Sequence, residues 1–150
     1  MTNGTQGVSN FFKPTVNQSV TGGQTPTVAL AKQVGDLVID ANSYITLPKG
    51  FYYEIDFGLS QFVSAGAGAL VLSRILKSDG SAIGYGADAG SIGATNANGR
   101  QEITNGTHLI DLTGAGADVL IKYMVAYVDV ATTINKDTTF VKIKKYVKTV

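Results

Sequence analysis

Residues 44–62 read YITLPKGFYYEIDFGLSQF. A short apolar strand, 44–47, runs into a Pro48-Lys49-Gly50 turn. A long aromatic strand, 51–62, follows. In it Phe51, Tyr53, Ile55, Phe57 and Leu59 share one parity, and Glu54, Asp56 and Ser60 share the other. Successive side chains of a strand point to opposite faces, so this alternation of β-favouring residues predicts one face in a core and one in water. Phe57 is expected inside and Asp56 outside.

The same signal repeats outward from this stretch. Strands are predicted over 27–32, 36–40, 69–77, 82–86, 100–104, 107–112, 119–129 and 138–147. Ser78-Asp79-Gly80-Ser81 and Asn105-Gly106 read as hairpin turns, and the TGAGA of 113–117 as a glycine turn. The VSAGAG of 63–68 reads as a break between strands. No segment of useful length has a helical period, and no internal repeat is visible. Strands with turn signals about every ten residues predict an all-β sandwich or jelly roll over 27–150.

Residues 1–26 differ. They are rich in Thr, Asn, Gly, Gln and Ser, with one apolar knot, Phe11-Phe12 before Lys13-Pro14. This composition predicts a polar N-terminal arm or linker whose removal leaves the domain folded. Phe11 and Phe12 either fold back on the domain or, with Lys13 and Pro14, form an anchor that docks into another protein. The segment 87–99, ADAGSIGATNANG, reads as a long loop. Such loops are commonly functional, which makes Asp88, Ser91, Ile92, Thr95, Asn96 and Asn98 a candidate contact surface.

Composition narrows the function classes. The 150 residues fit one domain. Only 15% are charged, against about a quarter usually, and such a surface is often hidden in an oligomer. The net charge of +1 gives no field that argues for nucleic acid. No apolar run approaches the roughly 18 residues of a membrane span, so no insertion is expected. The absence of cysteine excludes disulfides, thiolate metal sites and a cysteine nucleophile. MTNGTQGVSN has neither a basic nor an apolar leader region, so synthesis in the cytoplasm is expected.

No catalytic motif emerges. His108 is the one histidine, in THLIDL, and a triad or metal site needs several converging groups. Glu54 and Asp56 lie side by side on one strand rather than across a cleft. Gly84-Tyr85-Gly86, Gly114-Ala115-Gly116 and Gly66-Ala67-Gly68 lack the third glycine and the helix of a phosphate loop. Asp79-Gly80 lacks the ligand ladder of a calcium loop, which leaves calcium only to aspartates that folding brings together. No cofactor and no enzymatic activity are expected. A polysaccharide-degrading enzyme, which would need two carboxylates across a groove, and a sandwich binding a small ligand are the rivals.

Lys136, Lys142, Lys144, Lys145 and Lys148 form the one basic cluster. They either meet an acidic partner, such as the phosphates of a cell surface, or line the wet side of an edge strand and guard it against pairing. Tyrosine and phenylalanine bury much area at interfaces while keeping a polar handle. Tyr123 and Tyr127, four apart on one strand, with Tyr53 and Phe140, are the candidate oligomer interface.

The order of these pieces resembles a family. ANSYITLPKGFYYEIDFGLS, GTHLIDLTGAGADVLIKYMV and TTFVKIKKYV are similar to successive segments of C1q-like and tumour-necrosis-factor-like jelly rolls, over about residues 37–148. The resemblance implies a ten-strand jelly roll, a tight homotrimer, partner binding through outer loops and no catalytic residues. No collagen-like or coiled-coil pattern is read within these 150 residues. A trimeric jelly roll with a short polar arm and no cysteine resembles the head fibres, decoration proteins and spikes of bacterial viruses. That implies a virion protein that docks on the capsid by its arm. The alternative is a tail-fibre or spike tip binding a host-surface glycan or receptor.

Overall fold

The computed structural model describes residues 7–62, 70–84, 90–94, 102–128 and 131–147. Eleven strands lie among them: β1 (Val8–Lys13), β2 (Gln18–Val20), β3 (Ala31–Val34), β4 (Ile45–Leu47), β5 (Phe51–Phe62), β6 (Leu70–Lys77), β7 (Gly90–Ala94), β8 (Glu102–Asp111), β9 (Val119–Val128), β10 (Thr132–Ile134) and β11 (Phe140–Val147). The fold is an all-β jelly roll, as the alternation predicts.

β5 organises the larger sheet. One edge pairs with β8 from Tyr52↔Asp111 to Gln61↔Glu102. The other edge pairs with β11 over Phe51 to Gly58 and with β10 over Gln61 and Phe62. β1 lies beyond β11, β3 beyond β1, and β2 beyond β10. The smaller sheet has the order β4-β9-β6-β7. Every pairing between strands is antiparallel.

The core fills the space between the sheets. Tyr53, Ile55, Phe57 and Leu59 of β5 point into it, as their parity predicts, with Val141 and Ile143 of β11 and Phe12 of β1. Ile45, Leu47, Val71, Ile75, Ile121, Tyr123 and Val125 meet them from the smaller sheet. The Phe57 and Tyr123 rings touch across the layer with centroids 5.3 Å apart. Each such side chain contributes about 1.5–3 kcal/mol by leaving water.

Several sequence expectations are corrected, the first in the N-terminal segment. Residues 8–20 are not an arm. β1 is an interior strand paired to β11 on one side and β3 on the other, and β2 pairs with β10. Phe12 and Val20 are core residues. The sandwich therefore begins well before residue 27. Second, Asn105-Gly106 is not a turn but the middle of continuous β8. A Cβ on Gly106 would fall 2.4 Å from Phe57 Cζ, so this glycine lets the Phe57 ring lie against the strand. Third, part of the expected loop 87–99 is strand β7, where Ser91 and Ile92 sit opposite Ser73 and Leu72. Fourth, β11 has a strand on each side, so its lysines guard no edge. The expected strands 27–32 and 36–40 reduce to β3 and to single bridges at Thr27 and Ile39, and residues 82–84 are not strand.

Candidate functional site

The outer face of the larger sheet, the side of β5 turned away from the core, concentrates aromatic and charged residues. Strand register lines them up in rows. Phe11, Lys142, Asp56 and Thr107 form one row across β1, β11, β5 and β8. Ser9, Lys144, Glu54 and Leu109 form the next, and Tyr146, Tyr52 and Asp111 a third. Residues directly opposite on antiparallel strands share a face, so each row is a ladder of touching side chains.

Each of the first two rows sets a β11 lysine against a β5 carboxylate. Lys144 Nζ is 4.0 Å from Glu54 Oε1. Glu54 also accepts a 3.4 Å bond from the Tyr146 hydroxyl, and Asp56 accepts one of 2.9 Å from Thr107 Oγ1. These half-exposed pairs add little stability but fix side-chain positions. Aromatic rings bracket them. Phe11 stacks on Phe140 with centroids 6.3 Å apart, and Tyr52 tilts against Tyr146 at 6.2 Å. All four rings are half-buried, and Leu109 is 45% exposed. The result is a face on which large apolar groups alternate with charges of both signs.

The predicted interface residues divide. Phe140 lies on this face. Tyr53 and Tyr123 do not: both are in the core, as their inward parity requires. Burial pushes the Tyr53 phenol well above its ordinary range, and its hydroxyl donates a 2.6 Å bond to the Pro48 carbonyl. The Tyr123 hydroxyl shares a 3.0 Å bond with Ser73 Oγ. Tyr127 is exposed, on the outer side of the smaller sheet. A register shift between Leu72 and Ser73 breaks the four-residue spacing that would have placed it with Tyr123.

The docking group is also corrected. Phe12 is fully buried and Pro14 is buried, so neither is free to anchor elsewhere. Phe11 joins the outer face, and Lys13 ends β1 opposite Ala31. Of the candidate contact loop, Asp88, Thr95, Asn96 and Asn98 lie outside the described residues.

Glu54 and Asp56 lie on one strand with partners of their own. His108 sits opposite Ile55 and is fully buried in the core. Among the described residues no group of three or more His, Cys, Asp or Glu could hold a metal ion. A depression at one end of the smaller sheet is lined by Lys77, Ser78, Asp79 and 117–120. Its Asp79 is committed to a turn: Ser81 donates to it from both backbone and hydroxyl, which holds the carboxyl below its usual range. Sequence reading missed Phe11, Tyr52, Tyr146 and Leu109 as one surface. Tyr52 and Tyr146 each have outward parity on their own strand, and only strand order brings them together.

No family profile matches the sequence, and no curated protein sequence matches it. Similarity is found in folds. The Eiger TNF of S. frugiperda superposes with a TM-score of 0.60 at 8% identity, covering 97% of this chain and 96% of that one. Murine APRIL superposes with a TM-score of 0.60 at 9% identity, covering 93% and 98%. At such identities the likeness establishes a tumour-necrosis-factor-like jelly roll and leaves function to be argued from the chain's own surface.

Proposed function

We propose that this chain is a non-enzymatic, homotrimeric structural protein of a virus particle, assembled from subunits made in the host cytoplasm. The single observation that carries the reading is the outer face of the larger sheet. It presents Phe11, Phe140, Tyr52, Tyr146 and Leu109 among lysines and carboxylates that occur in the same rows. A surface with both signs of charge beside each other is complementary to copies of itself. Closed cyclic symmetry then gives an oligomer that stops growing, as a particle component must. The low overall charge supports the same reading, since a chain with few charges gains solubility by covering such a face. Docking through a free N-terminal arm forms no part of it, because β1 belongs to the sandwich. Attachment to the capsid or another virion protein falls to the loops and the opposite sheet.

Gel filtration with light scattering tests the oligomer, with three times the 15.7 kDa chain mass expected. Tyr52→Asp puts an unpaired carboxylate on the covered face and is expected to give a folded monomer. A wild-type monomer at micromolar concentration overturns the trimer. The virion assignment is tested by co-sedimentation with capsid shells reconstituted from the proteins encoded beside this one; absence from the shells overturns it.

A further inference from the structure

One side-chain cluster, built on the buried Asn10 and the nearly buried Lys145 and closed on the solvent side by the half-exposed Asp36, plays no part in the outer face. Lys145 shares the inward parity of Val141 and Ile143 on β11, although it is a lysine. Its side chain is only 14% exposed, and its ammonium lies 4.9 Å from the centroid of the Phe51 ring. On the neighbouring strand Asn10, fully buried, has the same inward parity, since it pairs with Ile143 while Val8 pairs with Lys145. Asp36, just after β3, joins the two. Its Oδ2 accepts from Lys145 Nζ, and its Oδ1 accepts from Asn10 Nδ2 at 3.2 Å. Asn10 Nδ2 also points at the Val8 carbonyl, 3.4 Å away. The remaining amide atom, Asn10 Oδ1, accepts a 2.8 Å bond from the Leu37 backbone N–H.

Gly35 closes the cluster. Its φ of +112° suits glycine, and a Cβ there would fall 2.0 Å from Asn10 Oδ1 and 2.4 Å from its Cγ. Only a residue without a side chain lets the backbone lie on the carboxamide and shield it from water. An amine, a carboxylate touching both that amine and the amide nitrogen, and an N–H on the amide oxygen are the parts of an acyl-transfer site.

We infer that Asn10, Asp36 and Lys145 form an autocatalytic cross-linking site, which joins Lys145 Nζ to Asn10 Cγ in an amide bond and so ties β1 covalently to β11.

The step balances without a co-reactant. The Asp36 carboxylate takes a proton from the Lys145 ammonium, and the freed amine adds to Asn10 Cγ. The oxygen that gains charge is the one held by the Leu37 N–H. Asp36 passes its proton to Nδ2 and takes the second proton from Nζ as the Cγ–Nδ2 bond breaks. Ammonia leaves with that proton as ammonium, and Asp36 is a carboxylate again. One ammonium and one carboxamide become one secondary amide and one ammonium. Asp36 starts in the right form: its hydrogen bond from Lys145 holds the carboxyl below the usual carboxylate range.

Intact-mass spectrometry of the purified full chain tests this. The expected mass lies about 17 Da below that of the sequence, one ammonia lost. A digest should contain a branched peptide joining the β1 and β11 segments at Asn10 and Lys145. Lys145→Arg keeps the cation beside Asp36 but cannot form the amide, so it should show the full mass in a folded protein. Asp36→Ala should show the full mass too. A wild-type chain that stays at full mass after days at neutral pH overturns the inference. So does a loss of about 18 Da with the link at Asp36, which is direct condensation with the carboxylate. A loss of about 17 Da that persists in Lys145→Arg overturns it as well, since asparagine has then cyclised on its own backbone.

Discussion

β1 and β5 lie in one sheet, separated by β11, and feed the same core, yet they look unalike in sequence. In β5 every inward position from Phe51 to Leu59 is large and apolar, and the outward ones include Glu54 and Asp56. In β1 the inward residues are Val8, Asn10 and Phe12, and the outward ones Ser9, Phe11 and Lys13. The inward asparagine and the outward phenylalanine exchange the expected characters, and the alternation vanishes. Both exceptions have a physical cause. Asn10 is inside because it bonds Asp36 and the Leu37 N–H. Phe11 is outside because it stacks on Phe140. A strand that serves a polar cluster on one side and an interface on the other loses the period-2 signal that identifies strands.

The comparison breaks most forcefully by deletion. If β1 is as structural as β5, removing residues 1–24 strips Phe12 and Val20 from the core and uncovers one edge of β11. The truncated chain is expected to lose its cooperative thermal transition and to aggregate. Near-UV circular dichroism measures this. A truncated chain that keeps the wild-type spectrum and melting temperature would return residues 8–20 to the status of an arm.

Single substitutions put the two strands on one scale. Phe12→Asp and Phe57→Asp each bury an unpaired carboxylate, at a cost of several kcal/mol, comparable to the whole stability of a domain. Both variants are expected to be unfolded or insoluble by the same measure. A folded Phe12→Asp beside an unfolded Phe57→Asp would mean that β1 is a replaceable cover rather than an equal member of the sheet.

How much was legible follows the same division. β5, β6, β9 and β11 are long, and most of their inward residues are apolar despite exceptions such as Ser73 and Lys145, so their bounds come within about two residues. β2 and β10 have three residues each, too few to show a period. β8 was split because Asn-Gly usually turns a hairpin, whereas here the glycine makes room for the Phe57 ring. Of the candidate site, Phe140 was legible as an outward aromatic. Tyr53 and Tyr123 were misplaced because counting aromatics does not say which face they occupy. The outer face could not be assembled at all, since it joins β1, β5, β8 and β11 from both ends of the chain.

Gly106 sharpens the comparison from the β5 side. Gly106→Ala places a methyl carbon against Phe57 in a filled core, and overpacking of this kind costs about 1–3 kcal/mol. The melting temperature is expected to fall with the spectrum unchanged. In Gly106→Ala with Phe57→Leu, where the ring is gone, the alanine should add much less than it does alone. Equal penalties in both backgrounds would mean that the cost is not contact with the ring.

The smallest effect belongs to the wet side of β5. Asp56 shares a strand with Phe57 and faces the other way. It is half-exposed, takes one bond from Thr107 and lies opposite Lys142. Asp56→Ala removes that bond and one partner of a solvent-screened pair. Substitutions of this kind move stability by about 0.5 kcal/mol or less. The chemical-denaturation midpoint in the monomeric Tyr52→Asp background reads that directly, apart from any effect on association. A loss approaching that of Phe57→Asp would contradict the register of the whole sheet, because a one-residue slip exchanges the faces of every strand that β5 pairs with. A near-zero change in the monomer with a clear loss of trimer would instead place Asp56 where the outer-face reading puts it, beneath the neighbouring copy.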